Sequence, residues 1–199
     1  VDSTDDYSSL IYLFKDDLYH YSVKEGKFRR LTATSGEKKN PRLSPNGKYI
    51  AHTQNNNLYA LDVESGLIHQ LTFDGSETIY NGWASWVYFE EILGRASRYA
   101  AFWWSPDSQR IAFLRFDDSP VPTFPIVRSR GAHSELEVER YPKSGDTNPK
   151  VRLGIAAVGE GKVVWADVDE EADHYVAWPF WFADSSQITF QWMNRDQNN

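Results

Sequence analysis

The chain has 199 residues, of which 41% are hydrophobic and 25% charged, values typical of a soluble globular protein with one large domain or two small ones. It contains no cysteine, which excludes disulfides and thiolate metal sites. A net charge of -7 without a basic stripe argues against nucleic acid as a partner.

Two segments in the first half of the chain repeat at an offset of 40 residues. Asp17–Thr32 and Asn57–Thr72 each alternate apolar and polar residues and turn at Gly26 and Gly66. This pattern predicts β-hairpins with glycine at positive φ. A period of about 40 residues is the length of a β-propeller blade.

A strand–turn–strand motif with a Ser-Pro turn occurs at 43–51 and 104–113, and a weaker copy lies at 182–190. The spacing is irregular, which indicates insertions between blades and fits a solenoid less well. We therefore predict an all-β fold, a β-propeller fragment over residues 1–199. It would hold about three to four four-stranded blades of a probable eight, and a short helical insertion carrying two glutamates.

That insertion follows the second hairpin and spans Asn81–Gly94. Ser85 is a candidate helix N-cap, and Gly94 a candidate end. On a helical wheel Trp86, Phe89, Ile92 and Leu93 share one face, which places Glu90 and Glu91 about 100° apart on the other side. From the pattern alone, an exposed acidic helix face explains these two glutamates.

The insertion resembles a segment of the dipeptidyl peptidase IV family of prolyl-oligopeptidase-type serine peptidases, which reads Asp-Trp-Val-Tyr-Glu-Glu-Glu-hydrophobic. Here Trp86-Val87-Tyr88 matches, and Glu90-Glu91 falls on the last two acids. Two positions depart from the pattern: Ser85 stands where Asp is usual, and Phe89 where the first Glu is usual.

Two further segments extend the resemblance over most of residues 40–195. Residues 102–122 resemble the stretch that follows the glutamates in the family. Tyr141–Val151 resembles its Tyr-Pro-Lys-x-Gly-x-x-Asn-Pro-x-Val segment. Three motifs in the family's order make the resemblance far more specific than the blade pattern.

The resemblance implies an N-terminal eight-bladed propeller followed by a C-terminal α/β-hydrolase domain, which these residues do not include. Such enzymes release di- or tripeptides from substrate N-termini, usually after Pro. It implies that Glu90 and Glu91 bind the substrate α-ammonium. Neither a metal site nor a cofactor is expected. The resemblance also implies that the parent protein is a serine exopeptidase acting on peptides with a free N-terminus, located in the bacterial periplasm or cell envelope.

Catalytic residues are not expected in this chain, because no Gly-x-Ser-x-Gly elbow is present, and the chain alone should be inactive. The five histidines lack metal spacing and are predicted to lie on strand surfaces. An acidic run at 167–173 is expected to be an exposed loop. Residues 128–140 are predicted to form an exposed hairpin, an excursion of the kind that family members use for dimer contacts.

Two other interpretations remain open. The chain could be a non-enzymatic β-propeller that acts as a binding scaffold, although a plain scaffold has no need of the insertion that carries Glu90 and Glu91. The parent could also be a pseudo-enzyme whose hydrolase domain has lost its nucleophile.

Overall fold

The computed structural model describes residues 2–129, 132–169 and 172–198, and within these ranges the chain is almost entirely β-structure. The first two sheets are four-stranded antiparallel meanders, in chain order, built by the two copies of the repeat. Gly26 and Gly66 turn their hairpins at φ +62° and +75°, as predicted. The strands of these sheets are β1 (Asp2–Ser3), β2 (Ser9–Phe14), β3 (Asp17–Ser22), β4 (Lys27–Arg30), β5 (Lys39–Leu43), β6 (Tyr49–Gln54), β7 (Asn57–Asp62) and β8 (Ile68–Gln70).

The third sheet consists of β9 (Ile79–Asn81), β10 (Phe102–Trp104), β11 (Arg110–Asp117), β14 (Lys150–Ala157) and β15 (Val163–Trp165). It has five strands because two short strands, β9 and β10, pair with the same edge of β11. Across the sheet the order is β10, β11, β14 and β15, with β9 pairing to the other end of β11. A π-helix over Tyr88–Ile92, called the acidic helix below, and a 3₁₀ turn over Arg95–Ser97 lie between β9 and β10.

A two-stranded hairpin projects from the third sheet, and a fourth sheet of two strands follows it. The hairpin confirms the predicted exposed excursion but starts earlier, at Thr123; Arg130 and Gly131 at its centre lie outside the described residues. The four strands are β12 (Thr123–Arg128), β13 (Glu135–Arg140), β16 (His174–Trp181) and β17 (Ile188–Asn194).

The hydrophobic core is divided into three clusters, each between successive sheets. Ile11 and Leu18 of the first sheet pack with Ile50 and Leu61 of the second. The second cluster joins the second and third sheets, and the third joins the third sheet to the fourth and to the acidic helix. The first strands of all four sheets also line one cavity of about 520 Å³. Sheets that pack face to face in sequence around a shared channel are blades of a β-propeller.

Two histidines correct the expectation that all five lie on strand surfaces. His52 in β6 is fully buried, and burial lowers its pKa to about 4. His174, at the start of β16, is also buried, with Nδ1 2.7 Å from the carbonyl oxygen of Ala172. His52 lies in a strand whose four central residues are all buried, and the ring of His174 packs against Trp192 at 5.9 Å.

Candidate functional site

The insertion that carries the two glutamates interrupts the first strand of the third sheet. Gly82 follows β9 and donates its N–H to the carbonyl of Leu114. At Ala101 the chain returns to the same edge of β11. Ala101 N–H donates to the carbonyl of Gly82 at 3.0 Å, and the carbonyl of Ala101 accepts from Leu114 N–H. Because first strands line the central cavity, the insertion emerges on the channel side of the blade.

The start of the acidic helix is held by a contact that differs from the predicted cap. Ser85 Oγ donates to Asp118 Oδ2 at 2.9 Å, and no side chain caps the helix. The predicted side-chain cap is therefore absent, because the Ser85 hydroxyl donates to a buried carboxyl group, but Ser85 does stand at the helix start, where its carbonyl accepts from Phe89 N–H at 3.0 Å. The helix ends at Ile92, and Gly94 follows its C-cap residue at φ +76°.

The helix winds more widely than an α-helix, which changes the face it buries. Leu93 N–H bonds to the carbonyl of Tyr88 at 2.7 Å, an i to i+5 bond. Tyr88 consequently becomes the residue most deeply buried, at 1% exposure, whereas the wheel put it outside the apolar face. Phe89, Ile92 and Leu93 do pack on the core, as expected.

Strand β16 of the fourth sheet clamps both ends of the helix. Val176 N–H donates to Tyr88 Oη at 3.0 Å, and Trp178 Nε1–H donates to the carbonyl of Ile92 at 3.1 Å. The Tyr88 ring also meets Phe116 edge-on at 4.7 Å. The position of the glutamates is thus set by two neighbouring blades together.

Phe89 replaces the acid that is usual in the family by an aromatic anchor. Its ring stacks on Tyr99 at a centroid distance of 3.8 Å, and Tyr99 stacks in turn on Trp83 at 4.7 Å. Lys39 of the second sheet lies over Trp83 at 4.5 Å. Relative to the family pattern, Phe89 removes a negative charge. Its ring packs the helix against Trp83 and Tyr99, at the two ends of the insertion.

The two glutamates have different surroundings. Glu90 has a side chain only 16% exposed, and both of its oxygens accept hydrogen bonds from Arg95, at 2.8 Å each from Nε and Nη2. Glu91 is exposed and has no ion-pair partner in the part of the chain that the structure describes. One carboxylate is therefore fixed in orientation, and the other is open to a ligand.

Both glutamates line a cavity of about 360 Å³ that brings two of the sequence motifs together. Trp86 and Val87 form one side, and Tyr141 and Pro142, which follow β13, form the other. Trp86 meets the Tyr141 ring edge-on at 5.9 Å. An open carboxylate beside two aromatic rings can bind a cationic group attached to an apolar body.

Sequence reasoning missed two residues: Arg95, which lines this cavity, and Asp118, which holds the start of the helix through Ser85. Asp118 is 1% exposed, and desolvation raises its pKa to about 7. Its Oδ2 accepts from Ser85, while Oδ1 has no partner among the described residues. The only signal in the sequence was an Asp-Asp pair at the end of a predicted strand, which reads as an ordinary surface turn.

Other sites are not found in the described ranges. They contain no group of three or more residues that could hold a metal ion. Asp167, Asp169 and Asp173 of the acidic run are exposed, as expected, whereas Glu170 and Glu171 lie outside the described residues. The described part of the chain also holds no helix long and apolar enough to cross a membrane.

Comparison with known proteins gives a consistent set of relatives. Residues 7–199 match the family model described as the dipeptidyl peptidase IV (DPP IV) N-terminal region. Prolyl endopeptidase FAP of Mus musculus is 33% identical over 97% of this chain and 26% of its own length. Inactive dipeptidyl peptidase 10 of Rattus norvegicus is 34% identical over 73% of this chain and 18% of its own length.

The fold has a counterpart among solved structures. The crystal structure of Porphyromonas gingivalis dipeptidyl peptidase 4 superposes with a TM-score of 0.82 at 24% identity, covering 98% of this chain and 29% of that one. At this identity the likeness shows the fold alone, and it confirms the predicted β-propeller. The chain spans about a quarter of the length of such relatives.

Proposed function

Because the chain belongs to the family of dipeptidyl peptidase IV N-terminal regions, we propose that it is the substrate-recognition and gating propeller of a serine exopeptidase. In this proposal the parent enzyme removes di- or tripeptides from peptide N-termini and prefers Pro before the cut. Glu90 and Glu91 bind the substrate α-ammonium.

The observation that supports this proposal most strongly is the place of the acidic pair. The two glutamates stand on a helix clamped between two blades, on the channel side, at the edge of a cavity with aromatic walls. An α-ammonium is charged at neutral pH and has three donors, which carboxylates accept in charge-assisted hydrogen bonds. Because no residue precedes the bound amine, its position fixes the number of substrate residues between the N-terminus and the bond at the nucleophile. The pair therefore sets the length of the released peptide.

The nucleophile belongs to another part of the parent protein in this proposal. The chain has no Gly-x-Ser-x-Gly motif, so an α/β-hydrolase domain of the same protein would supply the Ser-Asp-His triad. The propeller would contribute recognition of the amine and access through the channel. A location in the bacterial periplasm or envelope belongs to the same proposal.

A homodimer of the parent protein is part of the proposal as well. The β12–β13 hairpin projects from the third sheet and exposes Val127, Leu136 and Val138, with exposed fractions of 58% to 66%. Apolar side chains on both strands of one projecting hairpin are suited to contact with a second copy.

The alternatives are a non-enzymatic binding propeller and a pseudo-enzyme, and one finding favours keeping the second: a relative named as an inactive dipeptidyl peptidase is 34% identical to this chain. A protein of either kind could keep the acidic helix and still bind amines. Turnover therefore has to be measured in the full-length protein, together with amine selectivity.

The test uses Glu90→Gln and Glu91→Gln in the full-length protein, assayed with an alanyl-prolyl chromogenic substrate and with its N-acetylated form. We expect each change to lower kcat/KM for the free amine by roughly tenfold to a hundredfold, the loss expected for a hydrogen bond to a charged group. The acetylated substrate should be poor throughout.

Glu64→Gln, at an exposed glutamate in the turn between β7 and β8, is the matched control and should behave as wild type. If both site variants hydrolyse the free amine at wild-type efficiency, Glu90 and Glu91 do not bind it.

A further inference from the structure

Arg95 is placed to act on the amine site although it lies outside the acidic helix. Gly94 reverses the chain at φ +76°, a conformation that glycine adopts without strain, and the 3₁₀ turn begins at the next residue. The guanidinium therefore folds back over Glu90 and reaches both of its oxygens. Arg95 also lines the cavity that holds Glu91, Trp86 and Tyr141.

The pairing fixes the plane of Glu90 without using up its acceptors. Each carboxylate oxygen takes one guanidinium hydrogen bond, and a carboxylate offers about four lone-pair sites. Glu90 can therefore still accept from an ammonium while it is held. The fork geometry needed for this contact is specific to Arg, since Lys presents a single point charge.

The pairing also sets the charge of the site. Two carboxylates and one guanidinium leave a single net negative charge on Glu90, Glu91 and Arg95. One α-ammonium balances that charge. A second cation on the N-terminal residue of a substrate, such as a Lys side chain, would meet Arg95 at the cavity edge.

We propose that Arg95 is a positioning and specificity-determining residue: it orients Glu90 for the α-ammonium and selects against substrates whose N-terminal residue carries a second positive charge. This inference rests on the proposed function of Glu90 and Glu91. It assigns to one arginine both the geometry of the amine contact and the charge limit of the site.

The experiment compares Arg95→Met, Arg95→Lys and Arg98→Met in the full-length protein, with alanyl-prolyl and lysyl-prolyl chromogenic substrates. Arg98 is the matched control, since it is exposed on the same turn and makes no ion pair in the described part of the chain. Calorimetric binding of the dipeptides Ala-Pro and Lys-Pro gives the same comparison without turnover.

For Arg95→Met we expect KM for the alanyl substrate to rise about fivefold with kcat nearly unchanged, the size of effect expected for a partly exposed ion pair. The ratio of kcat/KM for the lysyl over the alanyl substrate should rise by a similar factor. Arg95→Lys should keep the wild-type ratio, because the charge remains, but not the wild-type KM, because the fork is lost.

Two results would overturn the inference while leaving the proposed function intact. In one, the glutamate variants lose amine selectivity but Arg95→Met keeps both the wild-type KM and the wild-type substrate ratio. In the other, Arg98→Met changes them as much as Arg95→Met does. If instead the glutamate variants hydrolyse the free amine like wild type, the proposed function fails and the inference falls with it.

Discussion

At the scale of single residues, Ser85 and Asp118 show how one buried contact sets the start of the acidic helix. Ser85 stands where the family has an acid, and its hydroxyl donates to a carboxyl group that is itself buried. An acid at both positions would place two carboxyl groups together in a desolvated place. The serine instead gives Asp118 a neutral donor, and desolvation still raises the Asp118 pKa to about 7.

Asp118 should make the stability of the protein depend on pH. The folded state favours the protonated carboxyl, so the stability that it contributes is present at low pH and lost as pH rises through about 7. Between pH 5 and pH 8 the wild type should lose about 3 kcal/mol relative to Asp118→Asn, whose side chain does not ionise. Melting temperatures of the two proteins across this range measure the effect.

Asp117→Asn is the control for this prediction, since its carboxylate is less buried and accepts a hydrogen bond from Ser119 N–H. The stability gained by Asp118→Asn over the wild type should grow with pH, and Asp117→Asn shows how much of any change comes from removing one carboxyl group from this turn. A gain for Asp118→Asn that stays constant over this range would contradict the raised pKa of Asp118.

At the scale of elements, the acidic helix owes its position to β16 more than to its own sequence. Five residues of helix cannot be stable alone, since isolated helices need about 12 or more residues. The bond from Val176 N–H to Tyr88 Oη and that from Trp178 to Ile92 supply the missing constraint. The helix is therefore stabilised by tertiary contacts rather than by its local sequence.

Tyr88→Phe should destabilise the protein by about 1 to 3 kcal/mol, because it leaves the buried Val176 N–H without a partner. Thermal unfolding measures the change. Tyr80→Phe is the control, since Tyr80 Oη donates to the Glu77 carbonyl at an exposed position. Equal stability of the Tyr88 and Tyr80 variants would mean that the β16 contact does not hold the helix.

The blades could be predicted from the sequence, whereas the inner geometry of the site could not. The 40-residue repeat and the turns at Gly26 and Gly66 depend on local chemistry, which the sequence displays directly. The burial of Tyr88 follows from a wide helical turn and from a strand 88 residues away, which no local period encodes. The hydrogen bonds from Arg95 to Glu90 likewise depend on a chain reversal at Gly94.

At the scale of the whole molecule, successive blades are joined by two kinds of hydrogen bond at each of two interfaces. Ser108 Oγ accepts from Asn46 N–H at 3.1 Å, and Ser185 Oγ accepts from Asp107 N–H at 2.9 Å. Trp104 and Trp181 each donate Nε1–H to a carbonyl of the preceding sheet. The Ser-Pro turn motif and the tryptophans therefore connect blades as well as shape them.

Ser108→Ala and Ser185→Ala should each cost about 1 kcal/mol, because each removes the acceptor of a partly buried hydrogen bond between blades. The two bonds meet at adjacent residues of one turn, Asp107 and Ser108, so the double variant measures the coupling between the two interfaces. Denaturant unfolding measures these changes. Ser186→Ala, whose hydroxyl is exposed, should be neutral, and a Ser185 variant equally neutral would contradict the role given to these turns.

The return of the chain at Ala101 to the point where it left at Gly82 has a consequence for how this protein can change. Because Ala101 N–H bonds directly to Gly82, the edge of the sheet is continuous across the insertion, and the residues between them add nothing to its register. The register of the sheet is therefore independent of the length of the insertion. A segment of another length or charge could be exchanged there during evolution or by engineering, giving the same propeller a different choice of ligand.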